Sequence, residues 1–174
     1  MKILNAGLRV ATMAGLMVAV AACSSTPDES ASATSAPTTS VETQSQPGGA
    51  APGSQQDLVV NVGDRVFFGT DRSDLVPAAR ATLQRQAAWL KLYPALSITV
   101  EGHADERGTR DYNLALGGRR ANAAKSYLVS LGIDPARVRT ISYGKERPVA
   151  LCSNESCWSQ NRRAVTVVNG GAGS

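Results

Sequence analysis

Histidine is almost missing from this chain: His103 is the only one among 174 residues. A zinc or iron centre needs three or four ligands, and one histidine with three scattered cysteines does not supply them. No serine or cysteine stands in a recognisable pattern to be activated by His103, which reads as packing or bonding a turn at a strand end. An enzyme is therefore not expected, and neither is a metal or a cofactor. Long apolar runs are equally scarce. The run from Val10 to Ala22 is short for a bilayer span, and Lys2 and Arg9 give it the positive start of an export signal. Acidic residues are fewer than basic ones, 14 against 18. With Lys2, Arg9, Asp28, Glu29 and Glu42 set aside, the portion expected to fold keeps 16 basic and 11 acidic residues. An exported chain does not meet nucleic acid, and its arginines are scattered rather than striped, so the excess favours a carboxylate-rich partner.

The cysteines divide by position. Val20-Ala21-Ala22-Cys23 resembles the lipobox of bacterial lipoproteins, which implies a signal peptide over residues 1–22 and a lipid-bearing Cys23. Ser24, rather than aspartate, implies transfer to the outer membrane with the rest of the chain facing the periplasm. Several acyl chains hold firmly, since each buried methylene contributes about 0.8 kcal/mol. Cys152 and Cys157 then remain as a pair in an oxidising compartment, and the four residues between them allow a disulfide-closed loop. Residues 23–56 are Ser, Thr, Ala, Pro, Gly and Gln with few charges and no apolar periodicity, the composition of a disordered tether. One domain is expected over residues 57–168, with a short flexible tail over residues 169–174.

Within that domain, Arg65 to Phe68 reads as a strand, and Pro77 opens a helix that must end before Pro94. Ser97 to Glu101 alternates as a second strand. Asp111 to Leu131 is a second helix stopped by Gly132, and Val138 to Tyr143 and Ala164 to Val168 are further strands. The order predicts an α+β two-layer sandwich: a mixed sheet of about four strands with two main helices on one face.

The second helix carries an anomaly. At about 100° per residue, Asn113, Leu116, Ala124, Tyr127, Leu128 and Leu131 form one stripe, and Arg120 falls near its middle. A guanidinium aimed at a core is costly without a negative partner, and Asp105, in the loop before the helix, is the nearest candidate. Two readings stand open: an internal salt bridge pinning loop to helix, or a two-ended clamp for a zwitterion, with arginine on a carboxylate and aspartate on an ammonium.

Four separated motifs bear on that choice: Val66-Phe67-Phe68; Gly102 to Asn113 with Leu116 and Arg120-Ala121; Ser142 to Pro148; and Asn161 to Val165. Together they resemble the OmpA-like peptidoglycan-binding domains, and more narrowly those of the Tol–Pal lipoproteins, over roughly residues 57–168. The resemblance implies the same two-layer fold. It also implies that Asp105 and Arg120 hold the diaminopimelate of a peptidoglycan stem peptide, with Phe68, Gly69, Ala104 and Leu116 along the groove. Gly69 stands where many members have aspartate, so either its backbone meets the ligand or Thr70 or Asp71 takes over. Asn113 either bonds the stem peptide or satisfies local backbone. Arg162 and Arg163 match an NRR motif, and strand alternation lets at most one of them serve. The partners so implied are the stem peptide, TolB with the wider Tol complex, and the outer membrane, with roles in envelope integrity and division. Two other settings for such a domain are a flagellar stator subunit, which would need a longer transmembrane helix, and a peptidoglycan-binding lipoprotein outside the Tol system.

Overall fold

The computed structural model describes residues 49–170; the expectations for the signal peptide, Cys23, most of the tether and the final four residues lie outside them. The folded unit starts earlier than the composition implied. Ser54 caps a short helix, α1 (Gln55–Asp57), which continues as a π turn over Leu58–Val62. The Asp57 carboxylate fixes this opening segment by accepting from the Gly53 N–H at 2.9 Å and from Trp89 Nε1 at 2.9 Å.

The remaining elements are β1 (Arg65–Phe67), α2 (Pro77–Leu92), β2 (Ser97–His103), α3 (Arg110–Ser130), a 3-10 turn (Pro135–Arg137), β3 (Val138–Gly144), α4 (Glu155–Asn161) and β4 (Arg163–Asn169). Proline at the first position starts α2, which ends at Leu92 with Tyr93 as its C-cap, immediately before Pro94. Thr109 caps α3 through its side chain, and Gly132 at φ 91° follows the final turn. The four strands form one mixed sheet in the order β1-β4-β2-β3, parallel between β2 and β3 and antiparallel on both sides of β4.

Apolar residues on one face of the sheet (Val66, Ile98, Val100, Ala164 and Val168) meet Leu83, Ala87 and Leu90 of α2 and Ala121, Ala124 and Leu128 of α3 in a single core. Both long helices thus cover one face, as the alternating pattern predicts. Gln86 crosses this core with its amide satisfied, donating to Gly63 O and accepting from Thr166 Oγ1. Where α3 crosses β2, no side chain intervenes. A Cβ on Gly117 would approach the Gly102 carbonyl to 2.8 Å, and one on Gly102 would overlap the Gly117 carbonyl. Only glycine lets the two backbones come so close.

One element was not foreseen. Helix α4 fills the connection from β3 to β4, capped by Asn154, whose side chain accepts from the Ser156 N–H. At seven residues it is too short to display a stripe. The Cys152–Cys157 disulfide closes the turn that enters it, with Cα atoms 5.5 Å apart. Strand β4 runs through Asn169, into the stretch assigned to a tail.

Candidate functional site

Arg120 is wholly buried, at 0% exposure, as its place in the α3 stripe requires. Its charge is met by backbone. Nε donates to Arg72 O at 2.8 Å, Nη1 to His103 O at 2.8 Å and Nη2 to Gly69 O at 3.0 Å, while the guanidinium lies 5.4 Å from the centre of the Phe68 ring. Arg120 makes no ion pair among the described residues, so the internal Asp105–Arg120 bridge is not the partner arrangement. Burial pulls the guanidinium down to about 10, with the charges of Asp105 and Asp71 acting the other way, and it remains a cation at neutral pH. Three N–H groups are committed to carbonyls, which leaves two of the five a guanidinium carries.

Asp105 follows β2 and is held by a different set. Oδ1 accepts from the Arg107 N–H at 3.1 Å and Arg107 Nε at 3.2 Å; Oδ2 accepts from Arg107 Nη2 at 2.7 Å and Arg162 Nη1 at 3.3 Å. Burial alone would raise this carboxyl, but the bonds from Arg107 and Arg162 outweigh it and hold it below the usual carboxylate range.

Beside Asp105 opens a cavity of about 340 Å³ lined by Thr70, Asp71, Asp105, Arg107, Gly108, Tyr112, Asn113 and Leu116. The residues singled out in the sequence divide around it. Asp105, Asn113 and Leu116 line it. Arg120 lies buried outside that lining, tying the turn after β1 to the end of β2. Ala104 is buried, its N–H given to Gly144 O at 2.7 Å. Phe68 and Gly69 border a second, more apolar recess of about 400 Å³ with Phe67, Val76, Ser159 and Gln160. Asp71 and Thr70 stand at the first cavity in place of a side chain at Gly69. Asp71 adopts φ 55°, the only non-glycine residue in the left-handed region among the described residues, and accepts from the Tyr112 hydroxyl. The amide of Asn113 donates to Arg107 O and Thr109 O, so it satisfies local backbone while also facing the cavity.

Arg162 and Arg163 part company, but not through strand alternation: Arg162 closes α4 and only Arg163 lies in β4. Arg162 reaches Asp105 and Glu155 and donates from Nε to Phe68 O. Arg163 turns to the carbonyls of Asn161 and Arg147, close enough to His103 for its charge to act there. His103 is 2% exposed and neither ring nitrogen has a hydrogen-bond partner among the described residues, so burial, aided by Arg163 and Arg147, pushes its pKa down to about 4. The sequence reading missed Arg107, Gly108 and Tyr112. Arg107 had a signal: an aspartate that accepts from the backbone N–H two residues on makes an Asx turn, which brings the side chain at that position back onto the carboxylate.

The recess therefore presents two carboxylates, Asp71 and Asp105, the second flanked by the guanidinium groups of Arg107 and Arg162, with a third cation, Arg120, buried close by. Such a set can receive an ammonium and a carboxylate carried on one small group. The sequence matches the OmpA family over residues 67–163, the class of domain that this fold and recess define. It is 68% identical over 127 residues to the peptidoglycan-associated lipoprotein of Rhizobium meliloti (strain 1021), covering 73% of this chain and 72% of that one. Identity to the Haemophilus influenzae protein of the same name is 38% over 162 residues, 93% of this chain and 98% of the relative. The crystal structure of the peptidoglycan-associated lipoprotein from Burkholderia pseudomallei superposes with a TM-score of 0.60 at 43% identity, covering 61% of this chain and 90% of that one. The chain belongs to the OmpA family and, within it, to the peptidoglycan-associated lipoproteins of the bacterial envelope.

Proposed function

We propose that this protein is an outer-membrane lipoprotein, held by acyl chains on Cys23, that grips peptidoglycan non-covalently through the diaminopimelate of its stem peptides. The observation that carries the reading is the ionised Asp105 at the cavity, buried and ringed by guanidinium groups. Diaminopimelate ends in an ammonium beside a carboxylate. The ammonium takes Asp105 by replacing Arg107, the more exposed of its two arginine partners. The carboxylate is drawn by the buried charge of Arg120, which acts from behind the lining, with Arg162 adding to the cationic side. Asn113, Leu116, Phe68, Gly69 and Ala104 complete the groove. No bond is made or broken in this scheme, so the protein acts by holding. The residues between Cys23 and the Ser54 cap serve in this reading as the tether; a coil of about thirty residues has an r.m.s. span of roughly 30 Å, enough to leave a membrane surface in search of a polymer layer. In the Tol–Pal system the domain would exchange peptidoglycan for TolB on an overlapping surface, supporting envelope integrity and constriction at division.

The test is binding of a diaminopimelate muropeptide to the full chain. Asp105→Ala should weaken it by more than tenfold, since a contact to an ionised group contributes roughly 1.5–3 kcal/mol. A muropeptide with lysine in place of diaminopimelate lacks the side-chain carboxylate and should bind poorly. Soluble diaminopimelate peptide should also displace TolB. Equal affinity for the two muropeptides overturns the ligand assignment, and a stable ternary complex with TolB overturns the exchange.

A further inference from the structure

Helix α4 and the disulfide at its entrance are not needed to close the core, yet they touch the ligand loop at three points. Glu155, the first residue of α4, pairs with both terminal nitrogens of Arg162, and Arg162 Nη1 reaches Asp105 Oδ2 at 3.3 Å. Trp158 donates from Nε1 to Glu106 Oε1 at 3.0 Å. The Arg107 guanidinium, bonded to Asp105, stands 4.1 Å from the centre of the Trp158 ring. Each neighbour of Asp105 that shapes its charge is thus braced by α4 on its far side.

The helix is in turn held at its base. Cys152 is bonded to Cys157, and the Cys152 N–H also donates to Cys157 Sγ at 3.2 Å. Asn161, at the other end, accepts from the N–H groups of Val149 and Ala150 and donates to Ala150 O. A seven-residue helix has little stability of its own, so these two fastenings fix where Glu155 and Trp158 stand.

We infer that the disulfide-closed α4 is a positioning clip for the ligand site, and that opening the disulfide loosens the grip on ligand without unfolding the domain. This rests on the proposed use of Asp105. The device is redox-sensitive, because Cys152 is exposed while Cys157 is buried. A thiolate of an external dithiol attacks Cys152 Sγ and expels the Cys157 thiolate, which takes up a proton. The second thiol of the dithiol then resolves the mixed disulfide, leaving two cysteine thiols here and one disulfide on the reductant. Glu155 and Trp158 are then free to drift, Arg162 loses its outer partner, and Arg107 loses the ring that receives its guanidinium when the ammonium displaces it from Asp105.

The experiment measures affinity of the full chain for a diaminopimelate muropeptide, together with its melting temperature. The Cys152→Ser/Cys157→Ser pair, and the wild type after dithiothreitol, should each bind roughly three- to tenfold more weakly. With the disulfide intact, Glu155→Gln should weaken binding to a similar degree while moving the melting temperature little, because Glu155 is exposed. Glu155→Gln placed on the serine pair should add little, since both act through one contact chain. The reading is overturned if the serine pair and the reduced protein bind as the wild type does, or if the Glu155 and cysteine effects simply add. Failure of the ligand assignment looks different: there, Asp105→Ala binds like wild type.

Discussion

Replacing Arg120 with alanine separates a ligand contact from a structural fastening. The guanidinium holds three carbonyl oxygens, two in the turn after β1 and one at the end of β2. Hydrogen bonds from a charged donor contribute about 1.5–3 kcal/mol each, and they do not add when they share one group. Removing the donor also leaves a void and strips three carbonyls of partners in a water-poor place. The expected loss is about 3–5 kcal/mol, the range for breaking a buried charged network. For a domain of this size that lowers the melting temperature by roughly 10–20 °C. Muropeptide binding should fall as well, because Thr70 and Asp71 sit in the released turn. Arg120→Lys should recover only part of either property: an ammonium donates from one point and cannot span three separated acceptors. The assay is a far-UV thermal melt beside a binding isotherm, with Asp105→Ala as the contrasting variant that loses binding with a smaller thermal cost. An Arg120→Ala protein that melts within about 2 °C of wild type but no longer binds would refute the fastening.

Three further outcomes are expected. His103 should titrate near 4 in proton NMR, an unambiguous signal because it is the only histidine. Its folded pKa lies below the unfolded value of 6.5, so its contribution is present above pH 6.5 and is lost as pH falls toward 4, on the order of 3 kcal/mol in all; a midpoint above 6 would contradict its burial. Asp57→Ala should cost about 1–3 kcal/mol in urea denaturation by orphaning Trp89 Nε1 and the Gly53 N–H, and a chain begun at residue 57 should be destabilised similarly against one begun at residue 49. Cys23→Ser should leave a protein without the acyl mass increment that no longer fractionates with outer membranes; retention of either property would dismiss the lipid anchor.

The parts of this fold that declare themselves in the sequence are those written in side-chain periodicity. The stripe of α3 exposed Arg120 as a buried cation, and the alternation in β2 and β4 set the face that meets the helices. What Arg120 does with its charge was hidden, because its partners are carbonyls of Gly69, Arg72 and His103, and a backbone oxygen leaves no mark on residue identity. The charge argument pointed to Asp105, in the loop just before the helix, whereas that acid is filled by Arg107 and Arg162. Helix α4 escaped notice for a related reason. Its position depends on an asparagine cap, a disulfide and a buried Asn161, none of which generates a period. The domain start was placed too late because Ser54 and Gln55 look like tether; their role as cap and first helical residue is visible only through Asp57 and its distant partner Trp89.

The bare crossing of α3 over β2 at Gly117 and Gly102 bears on how steadily the recess keeps its shape. Side chains at a packing contact can hop among rotamers, and every hop lets the elements shift. A contact made of two backbones has no such freedom, so the helix bearing Asn113 and Arg120 and the strand leading to Asp105 share one rigid frame. Much of the entropy of aligning those groups is thereby lost during folding and not again when a ligand arrives. A domain built this way can bind through very few polar groups, since its holding strength comes from alignment rather than from a large buried area.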